Sequence, residues 1–132
     1  MLLEHGIFNK GESWMERTDA DAACLPVQLF EKGFDVWINN ARGVEASRGH
    51  LTLDPLVDWD TYWNFTFQDV GEEDIPVLTD FIIKQRADDA CSRVTVLTHS
   101  TGITEVMAAA AVDPLMTTKV DRVVALAPAF AI

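Results

Sequence analysis

"RVTVLTHSTGITEV", residues Arg93 to Val106, places a serine between a β-branched run and a glycine. Val94 to Leu97 predicts a strand, because branched side chains suit the pleated surface of a sheet. Gly102 to Val112 is rich in alanine and predicts a helix, which Asp113-Pro114 would end. Ser100 therefore falls on a bend where a strand gives way to a helix.

The composition limits the classes of function. The chain has 132 residues, of which 48% are hydrophobic and 23% charged, as in an ordinary globular domain. It contains no run of eighteen apolar residues, so no transmembrane segment is predicted. The net charge of -11 argues against nucleic acid as a partner, because it would repel the phosphates. An acidic substrate is disfavoured for the same reason, whereas a neutral or apolar one is allowed.

Strands and helices are predicted to alternate along the whole chain. The predicted strands are Met1 to Leu3, Phe34 to Ile38, Val94 to Leu97 and Val120 to Leu126. The predicted helices are Pro26 to Lys32, a helical region within Trp59 to Arg86, and Gly102 to Val112. This order indicates an α/β fold in which a parallel sheet of about four strands has helices on both faces, in three layers.

Two further segments carry specific predictions. Gly11 to Ala23 is polar and acidic and predicts a loop. In the region within Trp59 to Arg86, Asp74 is predicted to cap a helix, with Pro76 tolerated in its first turn. One face of that helix is predicted to be apolar, formed by Ile75, Leu78, Phe81 and Ile82.

The bend resembles a known catalytic motif. Thr98-His99-Ser100-Thr101-Gly102 matches four of the five positions of the G-x-S-x-G nucleophile elbow, with Thr98 in place of the first glycine. In that motif the turn is strained and lifts the serine clear of the backbone, and its neighbours are small because the helix passes close to the strand. The alternative is that Ser100 is the N-cap of the alanine-rich helix.

A second motif follows the first strand. Leu2 to Ile7 reads LLEHGI and places His5-Gly6 directly after apolar residues. In α/β-hydrolases an amide from the loop after an early strand, together with the amide after the nucleophile, binds the oxyanion of the tetrahedral intermediate. The candidate donors here are the backbone N–H groups of Ile7 and Thr101. The alternative for His5 is a turn histidine packed under the sheet.

Cofactor and metal motifs are missing from the sequence. No G-x-G-x-x-G follows a predicted strand, and the histidines and carboxylates lack the spacing of metal ligands. Cys24 and Cys91 fit neither a disulfide framework nor a metal motif, and we expect both to be buried or free thiols. We therefore expect no cofactor.

Over nearly its whole length the chain resembles the acid lipase family, which includes lysosomal acid, gastric and lingual lipases and related sterol-ester hydrolases. The segments that carry the resemblance are LLEHGIF (2–8), Trp14, GFDVWINNARG (33–43), Ser47, His50, YWNFTFQDVGEEDIPVLTDFI (62–82), LTHSTG (97–102) and ALAPAF (125–130). The family pattern differs at three of these positions, with glycine in place of Asn39 and Thr98 and glutamine in place of Thr101.

The resemblance implies an α/β-hydrolase that cleaves fatty-acyl esters of triacylglycerols or sterols. Ser100 would match the nucleophile, and Ile7 and Thr101 would match the oxyanion donors. A lysosomal or secreted location is implied by the resemblance alone, since MLLEHG (1–6) does not read as a signal peptide.

The resemblance also implies parts that this sequence does not contain. In α/β-hydrolases an acidic residue and then a histidine follow the serine, but the three histidines here, His5, His50 and His99, all precede Ser100. We therefore expect residues 1–132 to be a single incomplete domain, lacking opening strands, cap and acid–histidine segment, and inactive by itself. Its open sheet edges are expected to favour self-association. The alternative function is an inactive remnant of the fold that binds lipid or a partner chain.

Overall fold

The computed structural model describes residues 1–17, 22–86 and 93–130. Its strands are β1 (Leu2–Glu4), β2 (Trp37–Ile38), β3 (Val94–His99) and β4 (Val120–Leu126). They form one parallel sheet in the order β2-β1-β3-β4. The predicted α/β class and its four parallel strands are confirmed.

Helices connect and flank these strands. They are α1 (Leu25–Glu31), α2 (Trp59–Tyr62), α3 (Phe67–Asp69), α4 (Ile75–Gln85), α5 (Gly102–Val112) and α6 (Met116–Lys119). Two 3₁₀ turns cover Gly11–Met15 and Glu45–Ser47, and a π-helical turn, Val70–Asp74, joins α3 to α4. The described residues contain no helix that is both long and apolar enough to cross a bilayer.

The main core lies between the sheet and helices α4, α5 and α6. Its buried members are Leu2, Val94 and Val96 of the sheet together with Ile75, Ile82, Val106, Ala109 and Met116 of the helices. Side chains alternate between the two faces of a strand, so Leu3 points to the opposite face, where it is also fully buried. Each fully buried aliphatic side chain contributes about 1.5–3 kcal/mol of transfer free energy, which fixes β1 and β3 at the centre of the molecule.

Two sequence predictions were wrong in extent. The second strand was predicted from Phe34, but only Trp37–Ile38 pairs, because its neighbour β1 is three residues long. The segment from Gly11 to Ala23 was predicted to be a loop, yet Gly11–Met15 forms a 3₁₀ turn. Residues 18–21 of that segment lie outside the described residues, as does Cys91. Cys24 is a buried free thiol, as predicted.

The start of α4 was also predicted incorrectly. Asp74 makes no capping hydrogen bond, because the preceding π-helical turn runs directly into α4 and Asp74 already has helical backbone angles. Its carboxylate instead accepts hydrogen bonds from Arg42. Ile75 and Ile82 are buried as predicted, but Phe81 is 50% exposed and packs edge-on against Trp37 with ring centroids 5.8 Å apart.

Candidate active site

Ser100 lies between the last residue of β3 and the start of α5, with a left-handed backbone at φ +52°. A non-glycine residue in this region is strained by about 1–2 kcal/mol. The surrounding backbone enforces the strain: Ser100 N–H donates to the Leu126 carbonyl at 3.0 Å, and Ala129 N–H donates to the Ser100 carbonyl at 3.1 Å. The N-cap position of α5 is Thr101 rather than Ser100, so the N-cap interpretation of this serine was wrong.

Two glycines let the loop after β1 approach the bend. A Cβ atom on Gly6 would lie 2.7 Å from the Cβ of Ser100, 2.9 Å from the carbonyl oxygen of His99 and 3.3 Å from Ser100 Oγ. A Cβ atom on Gly102 would lie 2.8 Å from the carbonyl oxygen of His5. The close approach therefore depends on glycine at both positions. In the sequence these glycines were noted only as parts of the HG and S-x-G motifs.

Thr98 occupies the elbow position where the motif has glycine. It lies in β3 between Glu4 of β1 and Ala125 of β4, and it is fully buried. Its hydroxyl has no hydrogen-bond partner among the described residues. The branched side chain is thus accommodated within the sheet, at the cost of one buried polar atom.

The two predicted oxyanion donors are brought together, and they contact each other. Ile7 N–H donates a hydrogen bond to Thr101 Oγ1 at 2.8 Å, across 94 positions of sequence. The Ile7 amide, one of the two predicted donors, is therefore already hydrogen-bonded to the Thr101 hydroxyl. Sequence reasoning could not have found this contact, because it considered only the backbone of Thr101.

The three histidines form hydrogen bonds with groups other than Ser100. His5 is buried and hydrogen-bonded at both ring nitrogens: Nδ1 donates to the Gly6 carbonyl at 2.9 Å, and Nε2 accepts from Ala41 N–H at 3.1 Å. His50 accepts from two backbone amides of its own loop, and His99 Nδ1 lies 3.4 Å from an asparagine side chain. Within residues 1–17, 22–86 and 93–130 no hydrogen bond joins any histidine to the serine of the bend.

A cavity of about 600 Å³ adjoins the bend. Gly6, Ile7 and Thr101 form part of its wall, whereas Ser100 itself lies just outside it. The rest of the wall is largely apolar, with Phe8, Val44, Trp63, Phe65, Phe67 and Val70. This size and lining are typical of sites that bind small apolar molecules.

Two carboxyl groups lie near this cavity, and sequence reasoning missed both. Glu4 ends β1 and is fully buried; it accepts a hydrogen bond from Asn39 Nδ2 at 2.8 Å. Burial, and secondarily the charge of Glu105, raise the pKa of Glu4 well above its usual value. Glu105 is part of the cavity wall, and burial together with the charge of Asp74 raises its pKa from 4.5 to about 7. A charged residue inside an otherwise apolar strand or helix is the sequence signal that marks both positions.

Arg42 is also part of the cavity wall, where it binds two carboxylates. Its Nε donates to Asp74 at 2.7 Å, its Nη2 donates to Glu73 at 2.7 Å, and its guanidinium stacks over the Phe65 ring at 5.6 Å. These bonds raise the pKa of Arg42, chiefly through Asp74, and leave its charge neutralised. The part of the chain that the structure describes has no cluster of three or more His, Cys, Asp or Glu residues able to hold a metal ion.

The chain is thus a parallel α/β sheet with a strained serine between a strand and the following helix, the position that the nucleophile has in the elbow motif. No protein-family model matches the sequence. A probable lipase of Schizosaccharomyces pombe is 33% identical over 131 residues, which are 99% of this chain and 28% of that protein. Lipase member M of Homo sapiens is 30% identical over 128 residues, covering 97% of this chain and 29% of that protein.

Gastric triacylglycerol lipase of Mus musculus is 30% identical over 126 residues, covering 96% of this chain and 30% of that protein. The chain thus spans less than a third of the length of the curated relatives it matches. It is acid lipase-like in sequence, which confirms the predicted resemblance.

Proposed function

We propose that this chain carries the nucleophile and the oxyanion-binding segments of a serine carboxylic ester hydrolase that acts on neutral fatty-acyl esters. The observation that carries the proposal is Ser100, held at φ +52° on the strand–helix bend with Gly6 packed against it. The lipases among the relatives support ester hydrolysis as the reaction class. The apolar cavity beside the bend suits a fatty-acyl chain.

In this reaction Ser100 Oγ attacks the ester carbonyl carbon and loses its proton to a general base. The carbonyl π electrons move to the oxygen, which becomes the oxyanion of a tetrahedral intermediate. The amides of Ile7 and Thr101 donate to that oxygen, and each such donor lowers the barrier by about 3 kcal/mol. Collapse of the intermediate expels the alcohol and leaves an acyl–serine, which water then hydrolyses.

Formation of the oxyanion requires one hydrogen bond to be exchanged. In the resting protein Ile7 N–H donates to Thr101 Oγ1 at 2.8 Å. An oxyanion is a stronger acceptor than a neutral hydroxyl, because charge-assisted hydrogen bonds are about twice as strong as neutral ones. Rotation of the Thr101 side chain about χ1 would then free the amide without moving the backbone.

None of the three histidines of this chain is placed to act as the general base for Ser100. His5 is bound at both ring nitrogens, and neither His50 nor His99 hydrogen-bonds to Ser100. Without a base the serine hydroxyl stays protonated and is a weak nucleophile. We therefore expect the isolated chain to be inactive, and a longer protein with an acidic residue and a histidine downstream to be active.

The test compares hydrolysis of a p-nitrophenyl fatty-acyl ester by that longer protein and by its Ser100→Ala and Ser47→Ala variants. Ser100→Ala is expected to abolish turnover and labelling by a fluorophosphonate probe, whereas Ser47→Ala, on a 3₁₀ turn, should retain both. Turnover that persists in Ser100→Ala would refute the assignment of the nucleophile. No turnover and no labelling in the unmutated protein would favour the inactive, lipid-binding alternative.

A further inference from the structure

Glu105 occupies an unusual position for a charged residue. It is the single charged residue of α5, and it forms part of the wall of the cavity beside the bend. It lies four residues after Thr101, so the two side chains are on the same face of the helix with Cβ atoms about 5–6 Å apart. A carboxyl group therefore stands one helical turn from the amide expected to bind the carbonyl oxygen of a substrate.

The position of Glu105 is set by packing against the π-helical turn. A Cβ atom on Gly71 would overlap the carbonyl oxygen of Glu105 and lie 2.6 Å from the Cβ of Ala108, so α5 and the turn are in direct contact. Oε2 of Glu105 is buried and has no hydrogen-bond partner among the described residues. Buried polar atoms are nearly always paired, so an unpaired oxygen here disfavours the ionised carboxylate, while the residue remains part of the cavity wall.

The charged groups around Glu105 favour its neutral form. Burial and then the charge of Asp74 on the π-helical turn raise the pKa of Glu105, and the charge of Glu105 in turn helps to raise the pKa of Glu4 on β1. Arg42 forms ion pairs with Asp74 and Glu73. Arg48, another residue of the cavity wall, stacks over the Trp63 ring at 5.8 Å. His5, also on the wall, is bound at both ring nitrogens and has no hydrogen bond to spare.

We propose that Glu105 makes this cavity selective for uncharged acyl compounds, so that the ester or the protonated fatty acid is retained and the ionised fatty acid is expelled. The inference rests on the proposed function, because it places the acyl carbonyl at the amides of Ile7 and Thr101. A protonated Glu105 donates a hydrogen bond to an ester or acid oxygen. An ionised Glu105 repels a carboxylate bound one helical turn away.

The size of the effect follows from Coulomb's law. Two like charges about 6 Å apart at an effective dielectric constant of about 20 repel strongly enough to lower affinity by about 100-fold. The cavity is open to solvent on one side, so we expect a loss of tenfold or more. The switch should occur near neutral pH, since the pKa of Glu105 is raised to about 7.

The experiment measures binding and needs no hydrolysis. The probes are dodecanol, which is neutral, and dodecyl sulfonate, which is an anion at every pH used, and tryptophan fluorescence reports binding because Trp63 is in the cavity wall. From about pH 5.5 to about pH 8.5, sulfonate affinity should fall tenfold or more, and dodecanol affinity should change less than twofold. Glu105→Gln should remove most of the fall, whereas Glu72→Gln, an exposed carboxyl on the π-helical turn, should preserve it.

Three results would overturn the inference: an equal fall in the Glu105→Gln variant, a parallel fall for dodecanol, or no binding of either probe to the unmutated chain. Glu105→Leu, checked for folding by near-UV circular dichroism, provides a second variant if the glutamine is poorly tolerated. The same measurements on Ser100→Ala separate the two proposals. Selectivity that persists there would support this inference even if the hydrolysis assay failed.

Discussion

Gly6→Ala tests the geometry on which the site depends. The new methyl group would lie 2.7 Å from the Cβ of Ser100 and 2.9 Å from the carbonyl oxygen of His99, whereas carbon atoms normally pack about 3.5–4.0 Å apart. Neither neighbour can yield easily, because the backbone of Ser100 is hydrogen-bonded to Leu126 and Ala129. Overpacking of this kind costs about 1–3 kcal/mol, and the rigid neighbours place Gly6→Ala at the upper end.

The matched control is Gly49→Ala. A methyl group at Gly49 would have no atom within 4 Å, and the φ of this residue is not left-handed, so alanine there should be neutral or stabilise by up to about 1 kcal/mol. Urea denaturation should therefore separate the two variants by about 2–3 kcal/mol in the free energy of unfolding. A difference below about 0.5 kcal/mol, the usual size of a neutral surface change, would refute the close approach of the loop after β1 to Ser100.

Three further predictions concern the same region and the sheet edge. The stability advantage of Glu105→Gln over the unmutated chain should grow by about 2–3 kcal/mol from about pH 5 to about pH 8 in urea titrations. The reason is that the pKa of Glu105 is raised to about 7 in the folded state, so its ionisation opposes folding as the pH rises. A stability difference that did not change with pH would refute the burial of the Glu105 carboxyl group. Thr101→Val should speed hydrogen exchange of the Ile7 amide about five- to tenfold by NMR, since that amide loses its acceptor, whereas Thr101→Ser should not. We also propose self-association through β4, whose outer edge has no partner strand among the described residues; Val124→Lys should then lower the apparent mass in light scattering, and an unchanged mass would exclude this edge.

Local sequence patterns predicted most of the secondary structure. The bounds of α5 and β4 agree with the prediction residue for residue, because alanine-rich and β-branched runs have strong intrinsic preferences and Asp113-Pro114 ends the helix. The errors have a common cause. The second strand was overestimated because its length depends on β1. The cap at Asp74 failed because the π-helical turn runs directly into α4, and the free carboxylate binds Arg42, 32 residues away.

The sequence predicted the backbone bend at the candidate site but not the side-chain contacts around it. The bend at Ser100 and the pairing of Ile7 with Thr101 could be anticipated from two short motifs. The hydrogen bond from Ile7 to the Thr101 hydroxyl could not, and neither could the burial of Glu105. Both depend on which surfaces meet when distant segments pack.

The sequence alone determined the alternation of strands and helices and the sharp bend at the serine, since these follow from preferences over a few neighbouring residues. Only the tertiary structure decided the order β2-β1-β3-β4, which places β1 beside β3 and so brings residues 94 positions apart into contact. Long-range packing sets that order, because the buried faces of β1, β3, α4 and α5 must close over a single core.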